Sequence, residues 1–239
     1  MASAARFLLA TAAVAAVVGM ASPRAFACGT HGYSYAGLAA TQRAFGISAI
    51  VTPLDPVDPI SGHVAGWVGV GGPGEGPNGT DEWLQVGLSG FPGLTGSDVY
   101  YEVALPHRYP TYYKVEAGVS DGTPVEVSVV ETRSRPDWWR VYLNGRAVSR
   151  AIRLPGSRGR WTPIATAESW SGSGGSCNSF LYRFHGIRLA RAPGGRWRRF
   201  SSGEPIRSPV TRIRRSRSGD SFLAAEGPSA LRLLAALTP

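Results

Sequence analysis

His63-Val64-Ala65-Gly66-Trp67-Val68-Gly69-Val70 is followed, after a loop rich in Gly and Pro, by Glu82-Trp83-Leu84-Gln85-Val86-Gly87-Leu88. Both runs are short, rich in Val and Trp and closed by chain breakers, which is the pattern of strands. The same pattern recurs at Ile47 to Thr52, Val99 to Leu105, Tyr112 to Glu116, Val125 to Thr132, Trp138 to Leu143, Ile164 to Trp170 and Phe180 to Ala190. Nine strands of this length suit a two-sheet sandwich, and the turns between them suit an antiparallel meander. Asn144-Gly145, between Val141-Tyr142-Leu143 and Arg146-Ala147-Val148, is a two-residue hairpin signal. Only Tyr35 to Phe45 and Ala230 to Leu237 read as short helices.

Composition agrees. The chain has 239 residues, 43% of them hydrophobic and 17% charged, with 31 Gly and 18 Pro. That is enough apolar chain for one buried domain, and too many breakers for an all-α fold. The formal net charge of +9 is unevenly spread. Residues 28–182 carry 11 basic and 13 acidic side chains, a net of −2, whereas residues 183–239 carry 12 Arg against Glu204, Asp220 and Glu226, a net of +9. The basic character belongs to the C-terminal quarter.

Residues 1–27 have the layout of a secretory signal peptide: Arg6, an apolar run from Phe7 to Ala21, and Ala25-Phe26-Ala27 as a cleavage site. The run is too short to span a membrane, so the expected location is extracellular, with association to the cell envelope left open. Cys28 becomes the mature terminus. It is expected to form a disulfide with Cys177, lipidation of Cys28 being the alternative. The β-sandwich is expected over residues 28–200, and residues 201–239 are expected to be an Arg-rich, largely disordered tail with a short terminal helix. Gly69-Val70-Gly71-Gly72-Pro73-Gly74 matches a dinucleotide fingerprint only in letters, because Pro73 and Pro77 stand where the phosphate-binding helix must start. The four His and two Cys lack metal-ligand spacing, so neither a metal nor another cofactor is expected.

The order of these strands, followed by Val99-Tyr100-Tyr101-Glu102, by Asp121-Gly122 before Val125-Glu126-Val127-Ser128-Val129, and by Ala165-Thr166-Ala167-Glu168-Ser169-Trp170, resembles the glutamic peptidases, the eqolisin family. The resemblance covers about Gly46 to Ala190. It implies a concanavalin-like all-β sandwich, a jelly roll of two antiparallel sheets, whose concave face holds a catalytic Gln and Glu, here Gln85 and Glu168. It departs in two places. Gly71 stands where the family has an Asp, and Ser169 follows the Glu where the family has Trp.

Period-two alternation puts Trp83, Gln85 and Gly87 on one face of their strand, and Thr166, Glu168 and Trp170 on one face of theirs. A carboxylate can take a proton from water while an amide donates to the oxyanion, and a carboxylate base with an ordinary pKa near 4 suits acid conditions. Gln85 and Glu168 are therefore expected on neighbouring strands, about one water apart. Trp67, Trp83, Glu102 and Trp170 are the candidate substrate-binding residues. The expected function is that of a secreted acid endopeptidase acting on polypeptides. The alternative is a non-catalytic sandwich binding extracellular polysaccharide on its Trp residues. The Arg-rich tail suits an anionic cell-envelope polymer rather than nucleic acid, and the protein is expected to be a monomer.

Overall fold

The computed structural model describes residues 32–55, 59–171 and 178–237. Residues 1–27, expected to be a signal peptide, and Cys28 and Cys177, expected to pair, lie outside them. The described strands are, in chain order, β1 (Tyr33–Ala40), β2 (Gly46–Pro53), β3 (His63–Gly72), β4 (Glu82–Gly90), β5 (Ser97–Ala104), β6 (Thr111–Val119), β7 (Val125–Glu131), β8 (Trp138–Leu143), β9 (Arg146–Ala147), β10 (Ile152–Arg153), β11 (Pro163–Trp170), β12 (Phe180–Ala190), β13 (Trp197–Arg199), β14 (Gly203–Arg207), β15 (Thr211–Arg215) and β16 (Phe222–Glu226). A helix, α1 (Pro228–Ala236), follows them. The first sheet runs β14-β1-β11-β3-β4-β5-β6, and the second runs β10-β8-β7-β2-β12-β16-β15, with β9 on β8 and β13 on β12. All the pairings are antiparallel. The chain is an all-β sandwich.

Alternation explains the layers. Leu84, Val86 and Leu88 of β4 and Val64, Val68 and Val70 of β3 face inward, against Val125, Val127 and Val129 of β7 and Phe180, Tyr182 and Phe184 of β12. The residues between them in β3 and β4 therefore lie on the outer face of the first sheet. The Asn144-Gly145 turn forms as expected, with both residues at positive φ and Leu143 paired to Arg146. The meander is local: β3 to β6 are consecutive neighbours, as are β7 to β9, β12 with β13, and β15 with β16, while the connections between these groups cross between sheets.

Two expectations are corrected. The segment beginning at Tyr35 is the strand β1, not a helix, up to Ala40. Its Ala residues carry helix propensity, but pairing with β11 and β14 on both sides overrides that weak preference. The tail is not disordered over 203–237. It supplies β14 to the first sheet and β15 and β16 to the second, and Phe222 and Ala224 lie in the core. Ser- and Arg-rich composition reads as solvated chain, yet β14 is held by β1 and β16 by β12, partners far away in sequence, and β15 folds back onto β16. The short terminal helix is present as α1, packed through Ala230 and Leu234 on Leu181, Leu223 and Ala225.

Candidate functional site

The outer face of the first sheet carries a groove of about 440 Å³ that crosses the strands from Ile206 on β14 to Glu102 on β5, and it is lined by Tyr35, Trp67, Trp83, Gln85, Thr166 and Glu168 among others. A second hollow of about 350 Å³ adjoins it, lined by Ser89, Phe91, Tyr100 and Tyr112. His63, Glu102 and Glu168 line both, so they stand on the saddle between the two lobes.

Gln85 is opposite Glu102 on β5 and opposite Gly69 on β3. Its amide Nε2 donates to the Tyr100 hydroxyl at 3.1 Å, leaving one N–H for another partner. A Cβ on Gly69 would lie 2.9 Å from the Gln85 Cβ and 2.8 Å from the Leu84 oxygen, so only Gly leaves the floor open beside the amide. Glu102 Oε1 accepts a 3.0 Å hydrogen bond from Trp83 Nε1. Burial raises the Glu102 pKa above the ordinary carboxylate value, the Trp83 bond opposes that rise, and the Glu168 charge adds to it. Burial, assisted by the charge of Glu168, also lifts the Tyr33 and Tyr35 hydroxyls, while Tyr100 is raised by burial, Glu168 and Glu102, so all three are neutral donors.

Glu168 is not on a strand neighbouring that of Gln85. β3 lies between β11 and β4, and along it Glu168 is opposite Ala65 whereas Gln85 is opposite Gly69. Two strand spacings and a four-residue offset put their Cα atoms about 16 Å apart. One shared water spans only about 5.5 Å between polar atoms, so a bridge between them requires both side chains to lean toward each other across β3. The β11 residue level with Gln85 is Ile164. Glu168 Oε1 instead lies 3.5 Å from His63 Nε2.

Trp67, Trp83 and Glu102 line the larger lobe as expected. Trp170 lines neither lobe; it is 39% exposed, with its ring beside those of Tyr33 and His63. Rings touch in series across the sheet, Tyr35 to Tyr33, Tyr33 to His63, His63 to Phe91, Phe91 to Tyr112 and Tyr112 to Tyr100. Sequence reasoning did not select His63, Tyr33, Tyr35, Tyr100 or Asn178. The buried Asn178 side chain ties the chain before β3 to the end of β11: its Oδ1 accepts from the Ile60 and Ser61 N–H groups, and its Nδ2 donates to Ser61 O, Ser169 Oγ and Trp170 O.

No protein-family model and no curated protein sequence matches the chain. Among solved structures it is similar to a scytalido-glutamic peptidase determined with a peptide-based transition-state analog, with a TM-score of 0.51 and 18% identity over 82% of this chain and 98% of that one. A second, SCP-B of the eqolisin family in complex with the tripeptide Ala-Ile-His, has a TM-score of 0.49 and 16% identity over 82% of this chain and 98% of that one. The match covers 98% of the scytalido-glutamic peptidase, so this chain has the β-sandwich fold of the glutamic peptidases.

Proposed function

We infer that the protein is an exported endopeptidase in which Glu102 and Gln85, rather than Glu168 and Gln85, are the reacting pair. The observation that carries this reading is their direct cross-strand pairing on the groove floor. Ionised Glu102 takes a proton from water, whose oxygen bonds to the peptide carbonyl carbon. The free Gln85 N–H donates to the resulting oxyanion. Glu102 then returns the proton to the nitrogen as the C–N bond breaks. Trp67 and Trp83 provide apolar walls for an extended chain, and Glu168 with His63 forms a second polar station on the saddle. Export through residues 1–27 and a Cys28–Cys177 disulfide belong to this reading; peptide mapping of the secreted protein checks both.

The test is cleavage of unfolded protein substrates from pH 2 to 8. Glu102→Gln is expected to abolish cleavage and Glu168→Gln to leave most of it, while Gln85→Ala costs about a hundredfold or more. Because Glu102 works as a base with a raised pKa, activity falls as pH drops through a value above 4.5. Loss of activity in Glu168→Gln alone restores the dyad expected from sequence. An inactive wild type ends the peptidase reading. In that case the half-exposed rings of Tyr33, Trp170 and Tyr112 favour stacking on a polysaccharide, detectable as retardation in a glycan-containing gel.

A further inference from the structure

The arginines of the last quarter are not spread over a floppy tail. Folding fixes nine of the twelve on ordered elements, two on β12, two on β13, one on β14, three on β15 and one on α1. Of the 12 Arg between residues 183 and 239, Arg188 is paired to Glu126 and Arg199 to Asp220, and the others make no ion pair with a described residue. Of the three acids in this quarter, Glu226 is buried and accepts from Ser34 Oγ at 2.5 Å, Asp220 is paired to Arg199, and Glu204 stands exposed on β14 with no ion pair to a described residue.

The densest group surrounds a hollow of about 500 Å³ between the end of β15 and the end of α1, lined by Arg214, Arg215, Ser216, Arg217, Ala235, Ala236 and Leu237. Its arginines are tethered by neutral groups. Arg214 Nη1 donates to Ala235 O at 3.2 Å, Arg215 Nη1 to Gly203 O at 3.2 Å, and the neighbouring Arg212 Nη1 to Pro209 O at 2.9 Å. Arg214 Nε is buried with no hydrogen-bond partner. Backbone carbonyls orient a guanidinium without neutralising it, and each still has donors to spare. Three guanidiniums that no described residue neutralises stand around one hollow, and they repel each other less once an anion binds.

We propose that the Arg214–Arg217 turn and the adjoining β15 form a binding surface for a linear polymer of phosphodiesters without bases, such as a polyol phosphate. Successive same-face arginines such as Arg212 and Arg214 lie about 6.7 Å apart along the strand, so one chain can meet several in turn. Residues 203–219 contain no aromatic residue, and so offer no platform on which a base could stack. The surface lies on β15, the turn after it and the α1 end, whereas Glu102 and Glu168 lie in the groove, which leaves the groove free while the chain is anchored.

The test is binding of the full chain to poly(glycerol phosphate), read by fluorescence anisotropy at 50 to 300 mM salt. With about three phosphates neutralised, the logarithm of the affinity should fall with the logarithm of salt with a slope of about −2 to −3. Arg214→Ala with Arg217→Ala should weaken binding about tenfold or more, and Lys at both positions should recover part of it. Arg146→Ala, on exposed β9 away from the surface, should change nothing. Because Arg214 braces α1, Arg215→Ala with Arg217→Ala serves as a second variant, and unchanged thermal unfolding certifies its fold. No saturable binding at 50 mM salt overturns the proposal, as does binding that these variants leave intact. Equal or tighter binding to duplex DNA, or to phosphatidylglycerol vesicles, also overturns it, by assigning the surface to nucleic acid or to membrane.

Discussion

Glu82 opens β4 opposite Gly72, next to the groove rim, and its side chain is fully buried. Its Oε2 accepts from the Gly156 N–H at 2.8 Å, and its Oε1 has no hydrogen-bond partner. Burial pushes its pKa up from 4.5 to about 7; the Gly156 bond opposes this and the charge of Asp137 adds to it. Arg43 and Arg158 line the surface hollow beside Gly156, yet the net direction is upward. The folded state therefore binds this proton more tightly than the unfolded chain. The associated stability is complete below about pH 4.5 and is lost as pH rises through about 7. A shift of about 2.5 units corresponds to about 3 kcal/mol at most. Glu82→Gln has the same shape and never ionises. It should match the wild type at pH 4 and exceed it at pH 8 by up to about 3 kcal/mol, which for a chain of this size is about 6 to 12 °C in Tm. Thermal unfolding followed by circular dichroism at pH 4, 6 and 8 measures the difference. A Tm difference that does not change with pH, or a variant weaker at pH 8 than at pH 4 relative to wild type, refutes the reasoning.

Three further outcomes follow from the site. Trp83→Phe removes the hydrogen bond that favours ionised Glu102, so the acid limb of the activity profile should move to higher pH, a shift visible in rate measurements from pH 3 to 7. Asn178→Ala leaves several buried backbone groups unpaired and should cost about 2 to 3 kcal/mol, read from denaturant midpoints. Gly69→Ala must displace Leu84 or Gln85, and should lower cleavage far more than it lowers Tm; equal loss of both would place Gly69 in the framework only.

Period-two reading located nine strands because most of them present an apolar face to the core; β6, exposed over most of its length, was legible only from its Tyr and Val content. It missed β1, whose Ala-Gly-Leu-Ala-Ala sequence has no strand propensity of its own, and it missed β13 to β16, which are strands only because β1, β12 and one another pair with them. With β1 went Tyr33 and Tyr35. Trp67, Trp83, Gln85 and Glu102 were legible because strand and facing suffice to place them on one surface. Glu168 was read on the correct sheet and face, but its level relative to Gln85 depends on how β11 slides along β3, and a single sequence carries no record of that register. His63 and Tyr100 were within reach, standing two residues from Ala65 and Glu102 on the same alternation.

The placement of β14 and β16 sets a timetable for folding. β16 lies between β12 and β15, and β14 completes the first sheet against β1, so segments about 170 residues apart in the chain must meet. Contacts of such long range make for slow folding. A chain emerging N-terminus first exposes the β12 edge, Phe180 to Phe184, until residues 211–226 have followed it. An unpaired apolar edge invites pairing with another molecule. Truncation before Thr211 should therefore yield aggregates rather than a smaller sandwich, and the basic quarter of the chain acts as the closure of the fold during biogenesis.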